Sequence, residues 1–557
     1  MRDKKSTNHS ILNDIMSKSR RFKRPVNMDY ILLYTFLYKY CSDIIKDYLA
    51  FELKNKELTI DEAYRDGSVL AEINFDSLKL NGFFIKRSEA FIEEVVNNNF
   101  SKPGFLPDFL KIFPENIVFS SQYHNLDYFN DLFRTVDNEI DTFEFNPEQT
   151  RFICDIIYLI SKLDVFDMDF EFMDVFEVIS QSNLMRVDSN PHYIVQILSE
   201  LVLSDKKTID SAYDPFMKNG ASLMEMHNSI GYDLKYCYGK DASRLNYLHT
   251  MVKFFISNFS FKDLFLKQEN ALDSIDIDGT SFDVIVSRVP IAIKNYYSSN
   301  INQNMEISKR NKRSEIESFL LENLGMDGNS FKKDNELNKA LENLVEKINL
   351  ENDFNDNFKG QYEALIDSEF LFLINLIDSL KDDGIMAISI SENFLFKPSL
   401  ELLRKYLTLE KNYIDAIIRI PTEIVRSRPE VVIVFKKNRN VDDVLFVDMS
   451  SDYETQRGRL LYPGLFKKNL VLDAKTLDKM IDVFINKLEI PKFSNVVTLD
   501  ELKDNGFNLS VSRYVDTFEG EFISLDDLVT EKQDIDSNID ELNLKIGKMM
   551  DELNIRF

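Results

Sequence analysis

The chain has 557 residues, 44% hydrophobic and 29% charged, a globular composition that excludes extensive disorder and predicts about three to four domains. Asp and Glu number 93 against 67 Lys and Arg, and the formal net charge is −26. This balance excludes a generally basic nucleic-acid coat, although a local basic groove on an acidic body remains compatible with it.

The cysteine, histidine and hydropathy patterns exclude further classes of protein and of binding site. The three cysteines form no Cys-x-x-Cys pair and the five histidines have no metal-ligand spacing, so we expect neither a disulfide framework nor a metal site. The polar N-terminus does not resemble a signal peptide, and no apolar run has transmembrane length. The sequence therefore predicts a soluble, cytoplasmic protein with no membrane segment.

The first region, residues 1–185, has the pattern of a helical N-terminal domain. Apolar residues recur with helical spacing in Tyr30–Lys46 and in Phe152–Leu163, and strand-like alternation is rare. These features predict a mostly helical domain that precedes the rest of the fold.

The second region, residues 186–450, predicts a parallel α/β domain because short apolar runs alternate with amphipathic helices. A polar insertion over about 295–365 interrupts this rhythm, and residues 451–520 are mixed. We expect helices at Glu369–Leu380 and Ser399–Leu407. The expected strands are Ser211–Tyr213, Leu234–Tyr238, Phe282–Val286, Ile385–Ile390, Ile414–Ile420, Val431–Phe435 and Leu445–Val447.

The last region, residues 521–557, carries a heptad pattern, which predicts a long terminal helix with a coiled-coil seam. Either a partner subunit covers this seam, which the strict spacing favours, or the helix packs back onto its own domain. The seam residues step by three and four positions: Leu525, Leu528, Lys532, Ile535, Ile539, Leu542, Ile546, Met549 and Leu553.

Four loops that follow predicted strands carry the chemistry. The first runs from Tyr213 to Ser222 and opens a helix, and Tyr238–Asp241 ends the next strand with an acid. A loop at a helix N-terminus can cradle a nucleotide-like ligand, and the acid commonly holds ribose hydroxyls. The third loop is Gln268–Leu272 and the fourth follows Phe282–Val286. Singly these signals are weak, but their order and spacing are specific.

These loops resemble those of the methyltransferase (M) subunit of type I restriction-modification systems, an adenine-specific DNA methyltransferase that uses S-adenosylmethionine. The family has Asp-Pro-x-x-Gly-x-Gly, Gly-x-Glu, Gly-Asp and Asn-Pro-Pro-aromatic in this order. The similarity extends over nearly the whole chain, including Tyr30–Asp43, Asn190-Pro191, Glu369–Lys437 and the segment from Asn508 to Val515. It implies a Rossmann-like S-adenosylmethionine-dependent methyltransferase domain between the helical domain and the terminal helix.

The resemblance also implies site residues and partners. It implies that the cofactor S-adenosylmethionine would be bound by Asp214, Pro215, Lys218, Gly220, Asp241 and Asn270. The basic run after the fourth loop would contact DNA, although by itself such a run is usually a solvated loop: Lys309, Arg310, Lys312 and Arg313. A specificity subunit and a restriction subunit would be the protein partners, joined through the terminal helix.

All four loops depart from the family pattern. Asp241 stands for the family Glu with a shorter reach, and Asn270 stands for the family Asp. The departures in the first and fourth loops are larger. Lys218 stands at the first loop glycine, where a Cβ and a positive charge crowd a turn beside a helix N-terminus. In the fourth loop, Arg288, Val289, Pro290 and Ile291 stand for Asn-Pro-Pro-aromatic. The family Asn accepts a hydrogen bond from the amine of a flipped adenine, whereas arginine has only donors.

Three functions fit these residues. The chain is an adenine methyltransferase within a multisubunit complex, or a homologue with an impaired site that acts as a scaffold or DNA-binding subunit. A more remote alternative is a small-molecule or RNA methyltransferase with an altered pocket. The degenerate fourth loop favours the second function.

Overall fold

The computed structural model describes most of the chain. The described residues are 7–22, 25, 27–54, 56–100, 102, 104–120, 129–136, 145–168, 170–185, 187–206, 208–230, 234–257, 264–269, 271, 280–289, 373, 376–421, 429–450, 474–517 and 532, 533, 535–537, 539, 542 and 545.

The first eight helices lie within the expected helical region, and the ninth lies beyond its end at residue 185. In chain order they are α1 (Thr7–Ser19), α2 (Met28–Leu53), α3 (Ile60–Arg65), α4 (Gly67–Leu80), α5 (Ile92–Asn99), α6 (Phe105–Asn116), α7 (Pro147–Ser161), α8 (Phe172–Ser180) and α9 (His192–Asp205). Residues 129–136 are helical as well. A small antiparallel pair, β1 (Phe83–Ile85) and β2 (Ile117–Phe119), lies among them.

Helix α2 is the central helix of this region because its sequence is apolar on nearly every side. Most of its side chains are buried. The hydroxyl of Tyr34 donates to the backbone oxygens of Phe109 and Leu110 at 3.0 Å each, and that of Tyr38 donates to Ala90 at 2.6 Å. Buried tyrosines are stable here because each polar end has a partner.

Strands between residues 211 and 497 form a nine-stranded sheet within the described part of the chain. Its strands are β3 (Ser211–Asp214), β4 (Tyr236–Lys240), β5 (Leu264–Lys267), β6 (Phe282–Arg288), β7 (Leu380–Ser391), β8 (Ile414–Arg419), β9 (Glu430–Lys436), β10 (Val444–Asp448) and β11 (Ser494–Val497). Their spatial order is β11-β10-β8-β9-β7-β6-β3-β4-β5. The accompanying helices are α10 (Ala221–Ile230), α11 (Arg244–Ile256), α12 (Glu401–Lys405), α13 (Ala474–Asn486) and α14 (Leu499–Asp504).

The two faces of the sheet bury two hydrophobic clusters. Val284 and Val286 of β6 join one cluster and Ile285 joins the other, as the two-residue period of a strand requires. The first cluster continues into the N-terminal helices, where it includes Leu33 and Phe36 of α2. The helical region and one face of the sheet therefore share a core.

The sheet is mixed, and the expectation of a parallel sheet is wrong at two strands. β9 runs antiparallel to both β7 and β8, and β11 runs antiparallel to β10. Residues 420–429 join β8 to β9 and are fewer than the dozen or more that a parallel crossover needs. The remaining pairs are parallel.

Several expected elements differ from those observed. All seven expected strands form, with shifted ends, but the sequence interpretation missed the three-residue β1 and β2 and the four-residue β5 and β11. The expected helix at Ser399–Leu407 is divided into a 3₁₀ turn at Pro398–Leu400, α12 and a π-helical turn at Tyr406–Glu410. None of the described helices is long and apolar enough to cross a membrane.

Candidate functional site

Three parallel strands end side by side at one edge of the sheet. β3 ends at Asp214, β4 is followed by Asp241, and β6 ends at Arg288. β3 pairs with β4 and with β6, so the chain leaves β3 in one direction and returns on its other side. Ligands of open α/β sheets bind in the crevice at such a switch point. We call Asp214, Lys218, Asp241 and Arg288 the candidate site.

Asp214 is fully buried at the end of β3. Its Oδ1 accepts hydrogen bonds from the Phe216 amide at 3.0 Å and from the Ser287 hydroxyl at 2.7 Å. Within the described residues its Oδ2 has no hydrogen-bond partner. Burial raises the pKa of the Asp214 carboxyl to about 6, although these hydrogen bonds oppose the shift.

The loop after Asp214 makes a tight turn that ends at Gly220. This glycine has φ +70°, and its amide donates to the oxygen of Met217 at 2.7 Å. A Cβ at Gly220 would lie 2.5 Å from Thr250 Cγ2 and 2.8 Å from Phe254 Cε2. Glycine is therefore required both by its backbone conformation and by the close approach of α11.

Lys218 adopts a left-handed conformation inside this turn, with φ +50°. A residue with a Cβ pays roughly 1–2 kcal/mol for that conformation, so the surrounding contacts must hold it. Its amide donates to Asp241 Oδ2 at 3.0 Å, and its carbonyl accepts from the Thr250 hydroxyl at 2.8 Å. These two bonds fix the backbone of the turn.

The side chain of Lys218 is buried within the site. Its Nζ donates to Asn190 Oδ1 at 2.8 Å, and only 7% of the residue is exposed. Burial, followed by the charge of Arg288, lowers the pKa of Lys218 to about 8. The expected crowding is thus resolved by a left-handed backbone and an ammonium that points inward.

Asp241, the expected ribose ligand, accepts hydrogen bonds from three other residues of the chain. Its Oδ2 accepts from the Lys218 amide, while Oδ1 accepts from the Ser243 amide at 2.7 Å and from Asn246 Nδ2 at 3.2 Å. A carboxylate offers about four acceptor positions, and three are used. Burial raises the pKa of Asp241 to about 6. The residue is 2% exposed.

Arg288 forms a two-bond ion pair with Glu430, the first residue of β9. Its Nε donates to Oε2 at 2.9 Å and its Nη2 donates to Oε1 at 2.6 Å. The Ser389 hydroxyl of the intervening β7 donates to Oε2 at 2.7 Å. The Glu430 side chain is 1% exposed. Burial lowers the pKa of Arg288, but the hydrogen bonds and charge of Glu430 outweigh burial and raise it overall.

The remaining expected site residues are only partly described. Pro215 is buried in the turn after β3, and Val289 is 3% exposed, with its amide bonded to the Ser389 oxygen at 2.9 Å. In the third loop, Glu269 pairs with the buried Lys240 at 3.1 Å. The other expected residues lie outside the described residues: Asn270, Pro290, Ile291, Lys309, Arg310, Lys312 and Arg313.

Sequence reasoning missed Glu430 and the partner role of Asn190. Glu430 lies 142 positions from Arg288, and only the antiparallel return of β9 brings it to this edge. No local pattern marks Glu430, and the resemblance at Asn190-Pro191 does not indicate that Asn190 binds Lys218. Among the described residues, no group of three or more His, Cys, Asp or Glu could hold a metal ion.

The sheet and its switch-point loops define a methyltransferase-type fold. A solved methyltransferase subunit of a type I restriction-modification system from Streptococcus thermophilus aligns with 92% of this chain and 99% of its own length. The TM-score is 0.66 at 20% identity, so the two proteins share their overall fold. Residues 340–521 match the family model described as N-6 DNA methylase.

The curated relatives are type I restriction enzyme methylase subunits. The type I restriction enzyme MpnII methylase subunit of Mycoplasma pneumoniae is 21% identical over 66% of this chain and 61% of its own length. The MjaVII methylase subunit of Methanocaldococcus jannaschii is 29% identical over 30% of this chain and 28% of its own length. The chain is thus similar to type I restriction enzyme methylase subunits, and it spans less than two thirds of the length of these relatives.

Proposed function

We propose that this chain is a methylase-family subunit of a type I restriction-modification assembly that supports the complex and its DNA without transferring a methyl group itself. The observation that carries the proposal is the ion pair between Arg288 and Glu430 at the end of β6. The family resemblance supports a specificity subunit, a restriction subunit and DNA as partners. It also supports a cytoplasmic location.

The chemistry of adenine methylation explains why this pair matters. The exocyclic nitrogen gains positive charge as it takes the methyl group, and an acceptor placed for its N–H groups stabilises that change. A guanidinium has no acceptor atom, and two donors of Arg288 are directed at Glu430. Glu430 neutralises the charge of Arg288, so repulsion between the guanidinium and the positive charge that develops on the nitrogen is weak. The missing side-chain acceptor remains, and the Val289 carbonyl alone does not replace it.

The family implies S-adenosylmethionine as cofactor, and the residues of the candidate site fit it poorly. The Lys218 ammonium lies beside Asn190, and Asp241 already accepts three hydrogen bonds from its own chain. We therefore assign no catalytic step to a bound cofactor. The retained residues Asp214 and Gly220 instead shape the turn after β3.

The terminal heptad segment supports a role in assembly. Of its seam residues, Lys532, Ile535, Ile539 and Leu542 are described, and the three apolar ones are 51%, 48% and 57% exposed. Apolar seam residues exposed in the single chain favour a partner helix over packing against the chain's own domain. We propose that the specificity subunit covers this seam and that the run from Lys309 to Arg313 contacts DNA.

Transfer of labelled methyl from S-adenosylmethionine to duplex DNA tests the proposed function, with and without a specificity subunit encoded beside this gene. We expect no N6-methyladenine in either case, because a specificity subunit supplies target choice and not the missing acceptor. Loss of a single stabilising group typically costs about a hundredfold or more in rate. Robust methylation by the unmodified protein would overturn the proposal.

A restored variant is the companion experiment. It combines Lys218→Gly, Arg288→Asn, Val289→Pro and Ile291→Phe, and the structure adds Glu430→Gln, because Glu430 would otherwise lose its cation. Methylation by this variant would show that the scaffold is competent and that only the site is altered. Silence from a folded variant would show that the alteration extends beyond these positions.

The second candidate function is an active adenine methyltransferase. Gly220 and Asp214 keep the turn of the first loop, and Asp241 follows β4 at the position where the family pattern has Glu. The same transfer assay distinguishes this function, since it requires that the Val289 carbonyl and residues beyond the described range rebuild the acceptor.

A further inference from the structure

We propose that the Lys218 side chain occupies the cofactor position and excludes S-adenosylmethionine from the candidate site. Asn190 holds its ammonium there, and Asp241 and Thr250 hold its backbone. The inference deepens the proposed non-catalytic function, on which it rests, by naming the residue that excludes the cofactor.

The turn that should offer backbone amides to a ligand is enclosed by the protein. Phe216, Met217, Lys218 and Asn219 are exposed by 2%, 0%, 7% and 3%. The amides of Phe216 and Lys218 donate to Asp214 and to Asp241. These amides are therefore already engaged within the chain, and a ligand must displace a side chain to reach the turn.

The Lys218 ammonium is held by a neutral partner. Lys218 Nζ is bound by the neutral amide oxygen of Asn190, and Asn190 is itself 6% exposed. Arg288 adds a second cation nearby, but Glu430 neutralises it through two short hydrogen bonds. The sulfonium of S-adenosylmethionine is a cation, so it would meet the Lys218 charge at close range in a region of low dielectric.

Asp241 is bound by the same turn that carries Lys218. The bond from the Lys218 amide to Asp241 Oδ2 links the turn after β3 to the end of β4. The same carboxylate would have to accept ribose hydroxyl groups if a nucleoside were bound at this edge. The conformation that places the ammonium in the site therefore also engages the acid that a nucleoside needs.

Isothermal titration calorimetry on the full chain tests this proposal, with S-adenosylmethionine and with its uncharged thioether product, S-adenosylhomocysteine. We expect the unmodified protein to bind both with a Kd weaker than about 1 mM. Lys218→Gly should bind both at least about tenfold more tightly, because glycine keeps the left-handed turn and removes the ammonium.

Two variants serve as controls. Lys492→Gly makes the same change at an exposed lysine that also has positive φ, at +65°, and it should leave binding unchanged. If Lys218→Gly fails to fold, Lys218→Asn repeats the test, because asparagine tolerates the left-handed region and has a shorter, uncharged side chain.

Micromolar binding of S-adenosylmethionine by the unmodified protein would overturn the proposal, and so would an absence of gain in a folded Lys218 variant. The two proposals can fail separately. Binding by the unmodified protein without methyl transfer would refute the role of Lys218 and leave the non-catalytic function standing. Methyl transfer by the unmodified protein would refute the non-catalytic function.

Discussion

Arg288 and Glu430 lie 142 positions apart in the chain and form a two-bond ion pair at one edge of the sheet. They belong to β6 and β9, and Ser389 of β7 between them completes the hydrogen bonding of the carboxylate. Arg288 stands where the family pattern has an acceptor for adenine, and it is thus bound to a neighbouring part of the sheet by side-chain hydrogen bonds.

Breaking this pair should destabilise the protein strongly. Arg288→Leu leaves a buried carboxylate without its cation, which typically costs about 3–5 kcal/mol. The double variant Arg288→Leu with Glu430→Leu should recover most of that loss, because no buried charge remains. Urea unfolding measures both free energies.

The exposed pair between Lys503 and Asp500 provides the control. Asp500→Asn should change the free energy of unfolding by less than about 0.5 kcal/mol. If Arg288→Leu costs no more than this control, the ion pair contributes nothing measurable to stability.

Gly220→Ala should destabilise the protein more than Gly506→Ala does. Both glycines have positive φ, at +70° and +61°, but a Cβ at Gly506 meets nothing within 4 Å. Gly506→Ala therefore reports conformational strain alone, roughly 1–2 kcal/mol. Gly220→Ala adds the contact with Thr250 and Phe254, and the extra loss should be at least about 1 kcal/mol. Equal losses would show that α11 moves away without cost.

The buried His249 should make stability fall as the pH is lowered. Its Nε2 lies 2.8 Å from the Ser180 hydroxyl, its ring stacks on Phe176, and burial lowers its pKa to about 3. The unfolded state has a His pKa near 6.5 and takes up the proton first. The contribution of neutral His249 is therefore complete above about pH 6.5 and is lost as the pH falls toward 3, by about 1.4 kcal/mol per pH unit.

Comparison of the unmodified protein with His249→Phe isolates this effect. Unfolding free energies between pH 4.5 and 7.5 should show a steeper acid slope for the unmodified protein, since Asp214 and Asp241 titrate in both proteins. Parallel slopes would mean that His249 becomes protonated in the folded protein.

Charges on the heptad seam should release a partner without unfolding the sheet. Ile539→Asp with Leu542→Asp places two carboxylates on residues that are about half exposed, so the isolated chain should keep its unfolding free energy. Binding to the specificity subunit, measured by analytical ultracentrifugation, should be lost. Global unfolding of this variant would instead show that the helix packs on its own chain.

The sequence alone determined the class of the fold and the order of its elements. Apolar periodicity located all seven expected strands to within a few residues, except at the longer β7, and it located most of α2 and α7, because a buried face requires a regular repeat of apolar residues. The order of the switch-point loops indicated the family. β5 and β11 were missed although β3 is equally short, because β3 is buried along its whole length whereas β5 and β11 are only partly buried.

Only the tertiary structure decided what the unusual residues of the site do. In the sequence, Arg288 and Lys218 depart from the loop motifs of the family, and no partner for either charge can be recognised. In the fold, Glu430 neutralises Arg288, and Asn190 and Asp241 hold Lys218 in its strained turn. The physical reason is that the energy of a buried charge depends on its nearest partners, and the sheet brings those partners together from distant parts of the chain.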